Sequence, residues 1–261
     1  AVLAAAAEEA YHRGDYARSE RLGRAGLERA DDDTGRWTCR MVLSVTALAR
    51  GAYADVVEHS LAAAPLVPSR ENLGIAALAT AYAGDLDRAR ALNDEGLAAA
   101  VSPSMLSWGT YVAGEIENLA GAGELAEKHY LRAIDLARTA GATFLVGVAT
   151  VGLLSARADA GHVHDALRGY REVIDYFDRT GDWTHQWTTL RNLADLLRRL
   201  GDPEPAALLD AAADNAPDAP AVDRPPAAAP PPSLAPDTPV PGRADVLEVA
   251  RRAVARNLGR S

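Results

Sequence analysis

Apolar residues along the first four fifths of the chain recur at the three- and four-residue spacing of a buried helix face. The stretch 187–200 carries Leu190, Leu193, Ala194 and Leu197 in that register. These segments are interrupted by a recurring unit of glycine, a polar or small residue and an apolar residue: Gly14-Asp15-Tyr16, Gly51-Ala52-Tyr53, Gly84-Asp85-Leu86, Gly123-Glu124-Leu125, Gly161-His162-Val163 and Gly201-Asp202-Pro203. A helix ends readily at glycine, which enters the left-handed region without steric cost, and an Asp beside it can cap the next helix. Each unit therefore reads as a hairpin tip. Stretches such as 37–50 and 187–200 supply first helices; 16–30, 53–64, 86–100, 125–139 and 163–180 supply second helices. The fold class is all-α.

Neighbouring glycines are 33–40 residues apart, which brackets and slightly exceeds the ~34-residue tetratricopeptide period. One hairpin cannot cover its own apolar face, so stacking must supply the core. The expected architecture is a tetratricopeptide-like α-solenoid of about six helical hairpins over 1–215. Ten of the fifteen prolines fall between Pro217 and Pro241, so 216–242 reads as a disordered, Pro/Ala-rich flexible linker. The segment 243–261 reads as a short amphipathic basic helix, with Val246, Leu247, Ala250, Val254 and Leu258 at helical spacing and five arginines against two acids. A helix this short is marginal alone. Docking onto the acidic helices or another domain, and a partly folded solvated tail, both remain open.

Composition sharpens the class. Hydrophobic residues make up 48% of the chain, chiefly as alanine, and aromatics only 5%, which favours close helix-on-helix packing over strands. A net charge of −9 argues against direct binding of a nucleic-acid backbone. Lys128 is the only lysine, outside any phosphate-binding loop motif, so this segment holds no P-loop. One cysteine, Cys39, excludes an internal disulfide and fits a reducing compartment. With no apolar run long enough for a membrane span and no signal-peptide pattern at Ala1, a cytoplasmic location without membrane contact is expected. A first residue other than methionine suggests a piece of a longer chain.

Three constellations attract attention. Trp183, Trp187 and Arg191 recur every fourth residue and share a helix face. Thr188, Asn192, Asp195 and Arg199 form a second, polar stripe there. A third stripe is Trp108, Tyr111, Glu115 and Asn118, which with Trp37 and Arg40 would line a concave pocket for a ligand having apolar and charged parts. Each admits two readings: recognition of a peptide or planar ligand by aromatic and guanidinium groups, or inter-repeat packing with a solvated outer face. In the recognition reading of the last hairpin, Arg191 and Asn192 stand on the surface while Trp187 fills the seam behind them.

Enzymatic chemistry finds no footing. His162 and His164 lack the further ligands that a metal needs, Cys39 has no assignable base, and Glu8-Glu9 and Asp31-Asp32-Asp33 fall on exposed positions. No catalytic residue, metal ligand or cofactor is expected.

The run Gly181-Asp182-Trp183-Thr184-His185-Gln186-Trp187-Thr188-Thr189-Leu190-Arg191-Asn192-Leu193-Ala194, followed by Leu196-Leu197-Arg198-Arg199-Leu200-Gly201, resembles the last repeat of large actinobacterial regulators of the signal-transduction ATPase class. The likeness covers roughly 1–215; the upstream repeats are generic. It implies a sensor module of a multidomain regulator, usually of transcription, in which effector and ATPase domains precede a C-terminal repeat region. The implied partners are a protein segment or small effector on the concave face, and those ATPase and effector domains in a longer chain. The alternative is a stand-alone tetratricopeptide scaffold that assembles proteins without switching.

Overall fold

The computed structural model describes residues 2–67, 71–221 and 242–259. Among them lie thirteen α-helices, one 3-10 turn (Ala64–Leu66) and no strand. In chain order the helices are α1 (Val2–His12), α2 (Tyr16–Glu28), α3 (Asp33–Ala49), α4 (Tyr53–Ala63), α5 (Asn72–Tyr82), α6 (Leu86–Ala98), α7 (Pro103–Leu119), α8 (Gly123–Ala140), α9 (Thr143–Asp159), α10 (Val163–Thr180), α11 (Trp183–Arg199), α12 (Pro203–Asn215) and α13 (Arg243–Leu258). The chain divides into two compact units, Ala1–Ala156 and Arg157–Ser261.

Positive-φ glycines stand at the turns after α1, α3, α5, α7, α9 and α11, at Gly14, Gly51, Gly84, Gly121, Gly161 and Gly201. Gly121 replaces the expected Gly123, which instead opens α8. In Ala120-Gly121-Ala122-Gly123 the helix stops at the first glycine reached, because that residue already supplies the left-handed conformation. Asp15 and Asp85 then cap α2 and α6 through side-chain bonds to the amides of Arg18 (3.0 Å) and Arg88 (3.1 Å). Asp202 has the same sequence position but makes no cap bond.

In the first unit each helix from α1 to α8 packs on the next, and in addition α1 lies on α3, α3 on α5, and α5 on α7. Ten consecutive residues of α5, from Asn72 to Ala81, are buried, so this helix is enclosed on every side. Apolar burial drives that packing. Hydrogen bonds between small polar side chains fix the contacts: Ser19 with Thr46 at 2.8 Å and Ser60 to Ser44 at 3.0 Å. Cys39 is buried against α2, where a Cβ on Gly26 would come within 2.8 Å of its sulfur. Burial raises the thiol pKa, which keeps it protonated and weakly nucleophilic.

The second unit is built from α10 to α13. Tyr170, Ile174 and Phe177 of α10 and Leu190, Leu193 and Leu197 of α11 are buried. The terminal helix is docked: Val246, Leu247, Ala250, Ala253 and Val254 are buried where α13 packs on α10, α11 and α12. The Arg251 guanidinium reaches Asp175 (2.9 Å) and Asp178 (2.8 Å) of α10. Arg256 and Asn257 both donate to Asp202, at 2.6 and 2.9 Å. The carboxylate that would cap α12 thus holds α13 instead.

The stretch expected as linker is only partly described, and residues 222–241 lie outside the described residues. Within the described residues 216–221, Pro217 and Ala221 are exposed and one side chain is withdrawn. Asp218 is 2% exposed, drawn in by two cationic or N–H donors that composition could not reveal.

Candidate functional site

In the first unit the sequence-derived residues Trp108, Tyr111 and Glu115 share the α7 face that meets α5. Trp108 fits where α5 has Gly74; a Cβ there would lie 2.3 Å from the indole nitrogen. Tyr111 packs beside it with ring centroids 5.5 Å apart. One turn further, the two oxygens of Glu115 accept from two hydroxyls: Tyr82 of α5 to Oε2 at 2.9 Å and Tyr130 of α8 to Oε1 at 2.7 Å.

Two glycines make this arrangement possible. The Tyr130 ring is fully buried, and a Cβ on Gly114 of α7 would meet its Cε1 at 2.7 Å, one on Gly152 of α9 at 2.5 Å. The ring threads between two bare stretches of backbone and delivers its hydroxyl to Glu115. The same Cβ on Gly152 would lie 2.9 Å from Glu115 Oε1. Four helices therefore surround one half-buried carboxyl group. Tyr82 packs beside Tyr53, with ring centroids 5.8 Å apart and tilted by 44°, and keeps 37% of its surface open, so the cluster reaches the exterior on that side.

Burial raises the Glu115 carboxyl pKa, and the hydrogen bonds from Tyr130 and Tyr82 only partly offset this. Burial, with the Glu115 charge second, lifts the Tyr82, Tyr111 and Tyr130 hydroxyls well above the ordinary phenol value. All three are neutral donors at physiological pH, able to bond a carboxylate but not to neutralise it.

Trp37 belongs to the same wall but a different level: its indole N–H donates to Asn72 Oδ1 of α5 at 2.6 Å. Arg40 stands elsewhere, near His59 of α4, whose pKa is lowered mainly by burial, with a smaller push from the Arg40 charge. The structure brings Trp108, Tyr111 and Glu115 together and extends the wall to Trp37; it does not add Arg40. Tyr82 and Tyr130 were missed, because pairing across 33 and 15 residues leaves no local signature.

The last hairpin differs from its expected role. Arg191 is not on the surface: it is 8% exposed and spans to the segment after α12, donating to the Pro220 carbonyl at 2.6 Å and to Asp214 at 3.0 Å. Trp187 is buried and donates to Asp218 Oδ1 at 2.9 Å. Arg243 binds the other oxygen of Asp218 at 2.6 Å and lies 4.5 Å above the Trp183 ring. The aromatic and guanidinium face is thus filled by the chain's own residues 214–220 and the start of α13. In the polar stripe, Asp195 pairs with Arg198 and Arg199 with Asp159, while Thr188 and Asn192 are half-buried.

No group of three or more His, Cys, Asp or Glu side chains among the described residues converges as a metal site. Among them also, no helix is long and apolar enough to cross a membrane. No protein-family model matches the chain, and no curated protein matches it by sequence.

Proposed function

We propose that this chain is a ligand- or protein-binding module of a larger regulator of the signal-transduction ATPase type, acting in the cytoplasm and controlling transcription. Its recognition face is the wall formed by α3, α5 and α7. The observation that carries the reading is the Tyr82–Glu115–Tyr130 cluster, a carboxyl group held in fixed geometry by two hydroxyls among aromatic rings and open at Tyr82. A purely structural seam between helices would be served by apolar residues, since buried ionisable groups are costly. The odd-numbered helices α1, α3, α5 and α7, each packed on the next across the intervening helix, support a tetratricopeptide-like solenoid, in which first helices line the concave side. The last hairpin serves a different end, as the dock for the chain's own C-terminal segment.

The test is photo-crosslinking in the native host. A benzophenone side chain at Leu119, one helical turn beyond Glu115 and 46% exposed, should give a discrete adduct. The same group at Asp94 on the exposed face of α6 should not. Equal labelling at both positions, or none at Leu119, overturns the assignment.

A further inference from the structure

Glu115 differs from four other withdrawn carboxylates in what balances it. Glu117, two residues away, takes a two-pronged bond from Arg90 at 2.8 and 3.2 Å. Asp210 pairs with Arg198, Asp218 with Arg243, and Asp202 with Arg256. Each of these four has an arginine. No arginine, lysine or histidine among the described residues pairs with Glu115; its partners are the two neutral hydroxyls of Tyr82 and Tyr130. A carboxylate taken out of water requires a counter-charge or a proton.

Resting on the binding-module reading above, we infer that Glu115 is the anchor of a site for a primary alkylammonium group, with the tyrosines as its walls. The chemistry selects this class. An ammonium offers three N–H donors, which can meet the free lone pairs of the carboxylate and the oxygen of the partly exposed Tyr82, whose own proton already points at Glu115. The rings of Tyr82 and Tyr111 add the attraction of an aromatic face for a cation. The site is narrow on the α9 side, where the Tyr130 ring and Glu115 Oε1 already fill the space that a Cβ on Gly152 would take, at 2.5 and 2.9 Å. A quaternary ammonium is too wide and has no N–H. The net charge of −9 favours approach of cations at low salt. The amine could arrive on a small molecule or as a lysine side chain, because both present the same head on an alkyl stem.

Isothermal titration and thermal melting of the full chain test this, with n-butylammonium chloride as probe and sodium chloride at equal ionic strength as reference. Saturable binding and a raised melting temperature are expected for n-butylammonium, with neither for 1-butanol nor tetramethylammonium. A short peptide with a central lysine, run against n-butylammonium, separates the sources: tighter peptide binding assigns the lysine, tighter amine binding the small molecule. Glu115→Gln should weaken n-butylammonium at least about tenfold, a loss of ~1.4 kcal/mol. Tyr82→Phe keeps the partly exposed ring and should weaken it several-fold without unfolding the chain, which covers the case in which the Gln variant folds poorly. No saturable response in the wild type, an equal response to 1-butanol, or unchanged affinity in Tyr82→Phe overturns the inference. If the Leu119 adduct persists while n-butylammonium fails to bind, the ammonium site falls alone; if both are absent, the binding-module reading falls with it.

Discussion

The indole nitrogen of Trp187 donates to Asp218 at 2.9 Å across 31 residues, and both side chains are almost wholly withdrawn from water, at 3% and 2% exposed. This bond ties the segment after α12 to α11 and gives Arg243 a fixed carboxylate to grip. Trp187→Ala should remove the buried aromatic surface and the indole donor to Asp218, costing about 3–5 kcal/mol by denaturant melting. Trp187→Phe keeps most of the surface and should cost clearly less. Equal losses in the two variants would mean that the N–H, not the ring, dominates.

Arg191→Ala should also destabilise the fold. Its guanidinium bridges the Pro220 carbonyl and Asp214, and leaving a buried acceptor without a donor costs about 1–3 kcal/mol. Asp214 is 61% exposed and recovers water, which holds the loss to the lower part of that range. A variant as stable as the wild type would show that this clasp contributes nothing to folding.

Docking of α13 combines apolar burial with half-exposed ion pairs at Arg251 and Arg256. Exposed pairs contribute roughly 0.2–1 kcal/mol each and weaken with salt. Arg251→Ala with Arg256→Ala should therefore raise amide exchange in α13 modestly, with the difference from wild type shrinking in high salt. Complete loss of protection would assign docking to the arginines instead of Val246, Leu247 and Val254.

Gly152→Ala opposes two effects of known size. Alanine is the better helix former by about 1 kcal/mol, yet its Cβ would stand 2.5 Å from Tyr130 Cε1, and overpacking typically costs ~1–3 kcal/mol. A net loss of stability is expected, together with displacement of the Tyr130 hydroxyl from Glu115. A stabilised variant would show that the ring has room to move.

Proton linkage offers an independent check on Glu115. Its carboxyl is raised in the folded chain by burial and returns to the ordinary range on unfolding, so between those two values the folded state binds the proton that the unfolded state has released. The stability this group contributes is complete below the ordinary carboxylate range and is lost as pH rises through its folded value. The tyrosines facing it, Tyr82, Tyr111 and Tyr130, are all raised away from this window. Relative to Glu115→Gln, the wild type should lose stability across the window and then level off. A wild type that gains on the variant with rising pH would mean that the pKa is depressed.

Local rules made much of the chain legible. Periodicity and turn glycines located the helices because both act within a few residues, and the apolar stripe of α13 was visible for the same reason. Gly121 was misplaced by two positions because the run Ala120-Gly121-Ala122-Gly123 offers two stops and only geometry chooses. Composition gave no sign that one carboxylate of the proline-rich stretch, Asp218, is drawn into the interior by Trp187 and Arg243. Trp183, Trp187 and Arg191 were recognised as a shared face, but what covers it lies beyond the reach of spacing. Glu115 stood out as a charge on an aromatic stripe; its hydroxyl partners belong to other helices and left no mark nearby.

The proposed recognition face is tested by comparing photo-crosslinking at Leu119, beside Glu115 on α7, with that at Thr188 on α11, in the native host and at matched expression. A discrete adduct is expected at Leu119 that disappears in Glu115→Gln, and none at Thr188, where the neighbouring face is already filled by residues 214–220. A Thr188 adduct equal to or stronger than that at Leu119 would place recognition on the last hairpin and exclude the α7 wall as the recognition face.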